Sequence, residues 1–284
     1  MTIVAGHSAR NRNRNRNRTR TTLRGIAITV VIVALAFPVI WMVLASLKNA
    51  LSIGDPSQTF VFTPTLDNYV ALIEQNDFLH YILNSAIVAI AATALALLVG
   101  LPAAYAIARH SMGRTNMLIL AARIIPWISL LVPWYFLFAQ VGFVGTYWAL
   151  IIAHLFVTLP LVVWIMTGFF ETLPTELEEA AQVDGLSPAG AFWRIAVPLA
   201  RPGIATAALL GFIFSWNNFL FSLVLGGNDT RTLPVALFNF IAYASVDWGG
   251  LMAASVVTMI PVAVLAVLAQ RHIVAGLTAG ATKG

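Results

Sequence analysis

Six stretches of this 284-residue chain are apolar over a length that crosses a lipid bilayer, and that excludes most other folds. They run roughly over 26–46, 82–108, 117–139, 147–170, 203–225 and 250–270. A hydrocarbon core of about 30 Å takes about 20 mostly apolar helical residues, because lipid offers no partner to an open backbone group. The composition agrees: 60% of residues are hydrophobic and 10% charged, where a soluble domain carries about a quarter charged. The mean hydropathy is +0.86. The expected fold is an all-α membrane protein of six transmembrane helices. It divides into a disordered Arg/Asn-rich arm over 1–24, a six-span domain over 25–274 and a tail over 275–284. The first segment is span-length and is soon followed by another apolar run, so it reads as a span and not as a cleaved signal. The chain has no cysteine. This removes disulfides, thiolate catalysis and cysteine-ligated zinc without fixing the redox compartment.

Six spans place both termini on one side, and charge says which. Seven of the sixteen basic residues are arginines between Arg10 and Arg24, directly before the first span. Such a block can bind nucleic acid. Beside a span it is better read as a juxtamembrane arm that holds the helix in place and touches anionic headgroups. Arg109, Arg114, Arg194, Arg201, Arg271 and Lys283 fall on the same side as the arm, and only Lys48 and Arg231 on the other. The positive-inside rule therefore expects both termini in the cytoplasm. The loop 48–81, with Asp55, Asp67, Glu74 and Asp77, is then external.

The same placement bears on energy source. All eleven carboxylates fall in expected loops and none in a span, whereas ion-driven carriers usually need an intramembrane carboxylate. Arg123 is the one charge inside a span; it either snorkels to the headgroups or lines an aqueous path. His154 is the one span histidine, and without a spaced serine or aspartate it reads as a helix-packing residue. A transporter built this way takes its energy from ATP, yet the chain has no G-x-x-x-x-G-K-[ST] motif. The glycine-rich end GLTAGATKG follows a span instead of linking a strand to a helix. Any ATPase is a separate polypeptide, and the chain needs a cytoplasmic surface for it.

Five of the eleven carboxylates gather between Glu171 and Asp184, in the loop 171–202 that joins the fourth and fifth spans. Thr175 and Glu178 fit a capping box that starts a short helix, to which Leu177, Ala180, Ala181 and Val183 give an apolar side. Gly185 ends it. Ser187 and Pro188 suit the cap and first residue of a second short helix carrying Phe192, Trp193 and Ile195, which Pro198 stops. On these local signals the hairpin is either an interfacial amphipathic element or a partner-binding surface.

Here the sequence resembles the permease subunits of binding-protein-dependent ABC importers. Their signature is E-A-A, three residues, G, nine residues, I-x-L-P. Glu179, Ala180, Ala181, Gly185, Ile195 and Pro198 stand at those spacings, with Val197 in place of the preferred leucine. TPTLDNY at 63–69, LNS at 83–85, WNNFLFSLVL at 216–225 and QRHIVAGLTAGATKG at the end narrow the likeness. They resemble the second, shorter permease of carbohydrate importers of the maltose type, whose members take up maltose, trehalose, other oligosaccharides, polyols or glycerol phosphates.

The resemblance implies that the loop is a coupling helix docking on the ATPase, through Glu178, Glu179, Ala180, Ala181, Asp184, Gly185, Ile195 and Pro198. Acids there set register and specificity at an interface. It implies that the tail residues Gly276, Leu277, Gly280 and Lys283 reach the ATPase as well. The partners it implies are a longer second permease, two ATPase subunits that bind the ATP and Mg, and an external solute-binding protein. This chain holds no cofactor, catalyses nothing itself, and meets membrane lipid but no nucleic acid. A sugar presents apolar ring faces and many hydroxyls, so aromatics and amides are the candidate path residues. Trp216, Asn217 and Asn218 in the fifth span qualify. Trp127, Trp134 and Tyr135 join them in the third, where Pro126 and Pro133 kink the helix, and Arg123 is the charged candidate. The opposing reading is that these tryptophans and amides pack between helices.

Overall fold

The computed structural model describes residues 5–281, apart from 76, 111, 122, 123, 125 and 242–245. The described chain is almost wholly helical, its only β feature being an isolated Ile241–Val246 bridge. In order the helices are α1 (Ala5–Ser46), α2 (Ala50–Gly54), α3 (Asp67–Gln75), α4 (Phe78–Arg109), α5 (Gly113–Ala121), α6 (Trp127–Gln140) and α7 (Tyr147–Thr172). They continue as α8 (Glu176–Val183), α9 (Pro188–Ala191), α10 (Val197–Leu199), α11 (Arg201–Trp216), α12 (Leu220–Leu225), α13 (Leu233–Ala236) and α14 (Trp248–Ala281). The chain divides into two compact units, one of residues 1–69 with 248–256 and the other of 70–247 with 257–284.

In the first unit, α1 carries helical backbone back to Ala5, through the arm expected to be disordered. Arginine is a good helix former, and extending an existing helix adds one bond for each residue fixed. Beyond α1 the loop is fastened by local polar contacts. Lys48 is buried and donates from Nζ to the carbonyls of Gln58 (2.9 Å) and Thr59 (2.8 Å), beneath the rings of Trp41 and Phe62. Asn68, from the TPTLDNY stretch, donates from Nδ2 to the carbonyls of Ser46 and Lys48, both at 2.8 Å. Asp55 accepts from the hydroxyl and the amide of Ser57, which hold its carboxyl below the usual value.

The second unit is built on α4, α7 and α11. Small residues let these helices approach closely, as membrane helices do when lipid tails are as apolar as their side chains. A Cβ at Gly100 of α4 would lie 2.8 Å from Val162, and one at Gly211 of α11 would lie 2.8 Å from Thr158. Both partners sit on α7, one turn apart. Ala89, Ala92, Ala96 and Ala104 continue the contact face along α4 and are fully buried.

Among the described residues four helical stretches are long and apolar enough to span: Thr22–Ser46, Phe78–Arg109, Tyr147–Thr172 and Trp248–Leu268. The two other expected spans are interrupted. The third, 117–139, is divided between α5 and α6, with Pro126 standing directly before the first residue of α6. The fifth, 203–225, is divided between α11 and α12 at Asn217–Phe219. Asn218 Oδ1 accepts the Phe221 amide at 3.2 Å and so starts α12 anew. At 1.5 Å per residue, α6 and α11 reach only about 21 and 24 Å.

Candidate functional site

The loop 171–202 keeps the helix–turn–helix expected of it but is assembled differently. In α8, Glu176, Glu178 and Glu179 occupy the first turn, where the helix dipole favours anions. Gly185 closes α8 with φ +94°. Its amide donates to the Gln182 carbonyl and the Leu186 amide to the Ala181 carbonyl, both at 3.0 Å, a Schellman arrangement. Nothing lies within 4 Å of a Cβ built at Gly185, so the backbone conformation alone demands glycine. Ser187 caps α9 as expected, its hydroxyl accepting the Gly190 amide at 3.1 Å, with Pro188 in first position.

Two expectations are corrected. Thr175 has helical dihedrals and makes no side-chain cap: the Glu178 amide donates to the Thr175 carbonyl at 3.0 Å, and the Glu178 carboxylate is turned to Arg109. Pro198 does not stop the second helix. A π turn over Phe192–Ala196, closed by the Val197 amide on the Phe192 carbonyl, leads into α10, and Pro198 lies within that helix. The wide turn sits where a proline ring would otherwise crowd the preceding carbonyls. The chain then bends by 76° into α11.

Glu178 points inward and is 5% exposed. Arg109, the last residue of α4, meets its carboxylate with Nη2 at 2.5 Å from Oε1 and Nε at 3.2 and 3.3 Å from the two oxygens. The same guanidinium donates to the carbonyls of Phe170 (2.9 Å) and Leu173 (3.4 Å), satisfying groups that the end of α7 leaves open. Tyr105, one turn earlier on α4, donates its hydroxyl to Glu178 Oε2. Its ring lies under the guanidinium at 5.6 Å and edge-on to Phe170 at 5.5 Å, and it packs on Phe192 at 4.8 Å. A buried carboxylate is tolerated when fully paired in this way. Sequence reasoning counted Arg109 only as a loop cation and passed over Tyr105. The available signal was a tyrosine and an arginine four apart at the end of an apolar run, on one helix face.

The other side of the loop faces outward. Glu176, Glu179, Ala180, Asp184 and Gly185 are exposed, and beside them Leu177, Val183 and Trp193 are 47%, 88% and 52% exposed. Of the residues expected to give α8 an apolar side, Ala181 is buried, and Leu177, Ala180 and Val183 are exposed. Ile195 and Pro198 are half-buried. An acidic rim around exposed apolar side chains is the pattern of a docking face.

The candidate path residues separate into groups. Trp127, Asn217 and Asn218 line one cavity of about 360 Å³ with Ile213, Phe214, Phe219 and Leu220. Trp127 stands edge-on to Phe214 at 6.5 Å, and Asn217 donates from Nδ2 to the Ile213 carbonyl at 2.9 Å. Trp216 is only 2% exposed, stacks on Phe212 and donates from Nε1 to the Thr258 carbonyl at 3.1 Å. Trp134 packs among Phe138, Phe156 and Phe221, and Tyr135 is exposed beside Phe136. Arg123 lies outside the described residues, as does Lys283. Gly276, Leu277 and Gly280 fall on the last turns of α14.

Two polar clusters tie elements of this unit to one another. His154 does have serine partners: Nδ1 is 2.8 Å from Ser215 Oγ and Nε2 is 3.4 Å from Ser222 Oγ, joining α7 to α11 and α12. The LNS stretch also has a structural task. Asn84 donates from Nδ2 to the carbonyls of Asp229 and Arg231, both at 2.9 Å, and accepts the Tyr147 hydroxyl at 2.5 Å. Ser85 Oγ accepts the Leu233 amide at 2.7 Å.

Comparison with known proteins fits this geometry. The model of the binding-protein-dependent transport system inner membrane component family matches residues 96–279. The sulfoquinovosyl glycerol transport system permease protein SmoH of Agrobacterium fabrum is 36% identical over 253 residues, covering 87% of this chain and 89% of that protein. The trehalose transport system permease protein SugB of Mycobacterium tuberculosis is 38% identical over 253 residues, with 87% and 92% covered. The trehalose/maltose transport system permease protein MalG of Thermococcus litoralis is 38% identical over 257 residues, with 87% and 91% covered. Among solved structures, a bacterial ABC transporter that imports the acidic polysaccharide alginate superposes with a TM-score of 0.77 at 18% identity, covering 90% of this chain and 96% of that one. With the signature loop, the interrupted spans and relatives matched over most of their length, the chain belongs to the binding-protein-dependent transport system inner membrane component family.

Proposed function

We propose that this chain is the second, shorter permease of an ATP-driven, binding-protein-dependent importer for a neutral sugar or related polyol. It forms half of the solute path beside a longer permease and is moved by two separate ATPase subunits. In this reading α5 with α6, and α11 with α12, each make one interrupted crossing, for six in all with both termini cytoplasmic. The loop 171–202 is the cytoplasmic coupling element, and the solute-binding protein meets the external loops 47–81 and 226–248. The observation that carries the proposal is the two-sided loop: one glutamate is locked inward on Arg109, and the next lies on an exposed face with Leu177, Val183 and Trp193.

The solute class rests on the relatives named for trehalose and maltose and on the cavity beside Asn217. Its lining offers Trp127, Phe214 and Phe219 for ring faces and two amides for hydroxyls, and among the described residues it includes no charged one. Its volume falls in the range of small-molecule sites, about 300–1,000 Å³. The test is uptake by vesicles carrying the whole complex, with maltose, trehalose, sorbitol, glycerol 3-phosphate and a dipeptide compared side by side. A sugar or the polyol should be preferred; preference for the phosphate or the dipeptide overturns the solute class. In the same vesicles Glu179→Lys should leave the chain inserted and abolish ATP-driven uptake. Normal uptake by that variant overturns the coupling role.

A further inference from the structure

The two adjacent glutamates of α8 occupy opposite environments, and this division of roles has a consequence for transmission. A short helix that only received a push at its outer face would need something on its inner face to pass the push on. Packing alone is weak here: α8 has eight residues, and of these only Glu178 and Ala181 are buried. The inner contact is instead a charge cluster. Glu178 receives three N–H···O contacts from Arg109 and one O–H from Tyr105, both on the last two turns of α4. Through the Phe170 and Leu173 carbonyls the same guanidinium also takes hold of the end of α7. Tyr105 adds contacts to Phe170 and to Phe192 of the π turn. One planar cation on α4 thus joins two neighbouring segments that lie 61 to 69 residues later in the chain, the end of α7 and α8. Arginine suits this because its fork of donors binds carboxylate and carbonyls together in fixed directions.

We infer that Arg109 and Tyr105 are positioning residues of the coupling step: they clasp the inner glutamate, Glu178, so that α8 moves with the ends of α4 and α7 as one body. This rests on the permease reading above and adds to it the element that receives the motion. Arg109 meets neither the solute nor the ATPase in this scheme; it acts only through Glu178 and the α7 carbonyls.

The intact complex in vesicles tests it, with ATP hydrolysis and uptake of the preferred sugar measured on the same preparation. Arg109→Ala and the isosteric Glu178→Gln should lower the solute moved per ATP hydrolysed by about tenfold or more, with the ATPase subunits still co-purifying at normal yield. Tyr105→Phe should lower the ratio about two- to threefold, and Arg109→Lys should recover part of the loss in Arg109→Ala. If Arg109→Ala fails to insert, Glu178→Gln and Tyr105→Phe carry the test, since neither changes volume appreciably. An unchanged ratio in these variants overturns the clasp. So does a parallel fall of hydrolysis and uptake with loss of the ATPase subunits, which is what a merely structural role produces. Glu179→Lys in the same vesicles separates this idea from the one beneath it. If Glu179→Lys uncouples while the clasp variants do not, only the clasp is wrong; if Glu179→Lys transports normally, the permease reading itself has failed.

Discussion

The loop end of the molecule and the cavity near the α11–α12 break spend their polar groups in opposite ways. At the loop end a carboxylate, a guanidinium, a phenol and two helix-end carbonyls satisfy one another within a buried cluster. At the break the amides sit where helices end, and Asn217 stays exposed beside aromatic rings. The first arrangement is rigid because an unpaired member would carry a large desolvation cost. The second leaves room for hydroxyl groups to come and go. The function proposed above, force passed at one end and a solute at the other, calls for both, and the difference lies in how completely the polar groups are paired.

That contrast is broken most severely at the turn that holds the loop. Gly185→Val forces a β-branched residue to φ +94°, a strained conformation for it, so coupled uptake should fall by more than tenfold while membrane insertion persists. Unimpaired uptake by this variant removes the turn from the mechanism. The cavity should respond more mildly and differently. Trp127→Ala and Asn217→Ala remove single contacts, each worth on the order of 1 kcal/mol. Uptake should show a several-fold higher KM with ATP hydrolysis unchanged. Trp134→Ala, taken from the packed group, should lower thermal stability instead. If Trp134→Ala shifts KM and Trp127→Ala does not, the path has been drawn on the wrong side of α6. The smallest effect is expected from deleting 275–284: about a twofold change in ATP hydrolysis at unaltered KM. An unaltered rate leaves the tail with no part in the loop end's work.

What could be read from sequence follows the range of the interactions involved. Gly185 and Ser187 were legible because a left-handed turn and a helix cap are set within a few residues of chain. The capping box at Thr175 failed for a non-local reason: Glu178 is claimed by Arg109, 69 residues earlier. The apolar runs marked the membrane class at once. Pro126 marked the irregularity in the third, but the break in the fifth was not legible, because hydropathy does not register a backbone that stops at Asn217. Of the six described candidate path residues, Trp127, Asn217 and Asn218 converge. Trp216 satisfied the same criterion of type and depth and is consumed by the Thr258 carbonyl, a partner 42 residues away.

The length of α4 bears on all of this. Its 32 residues make a rod of about 48 Å, and the hydrocarbon layer is only about 30 Å thick. The surplus must be tilted away or carried beyond the lipid. In either case bilayer thickness sets the angle and height at which the Arg109 end emerges, and Arg109 holds α8. The lipid that houses the protein is thereby a mechanical input to the loop: the same sequence in a thinner or thicker membrane presents the exposed face of α8 at a different level to whatever binds there.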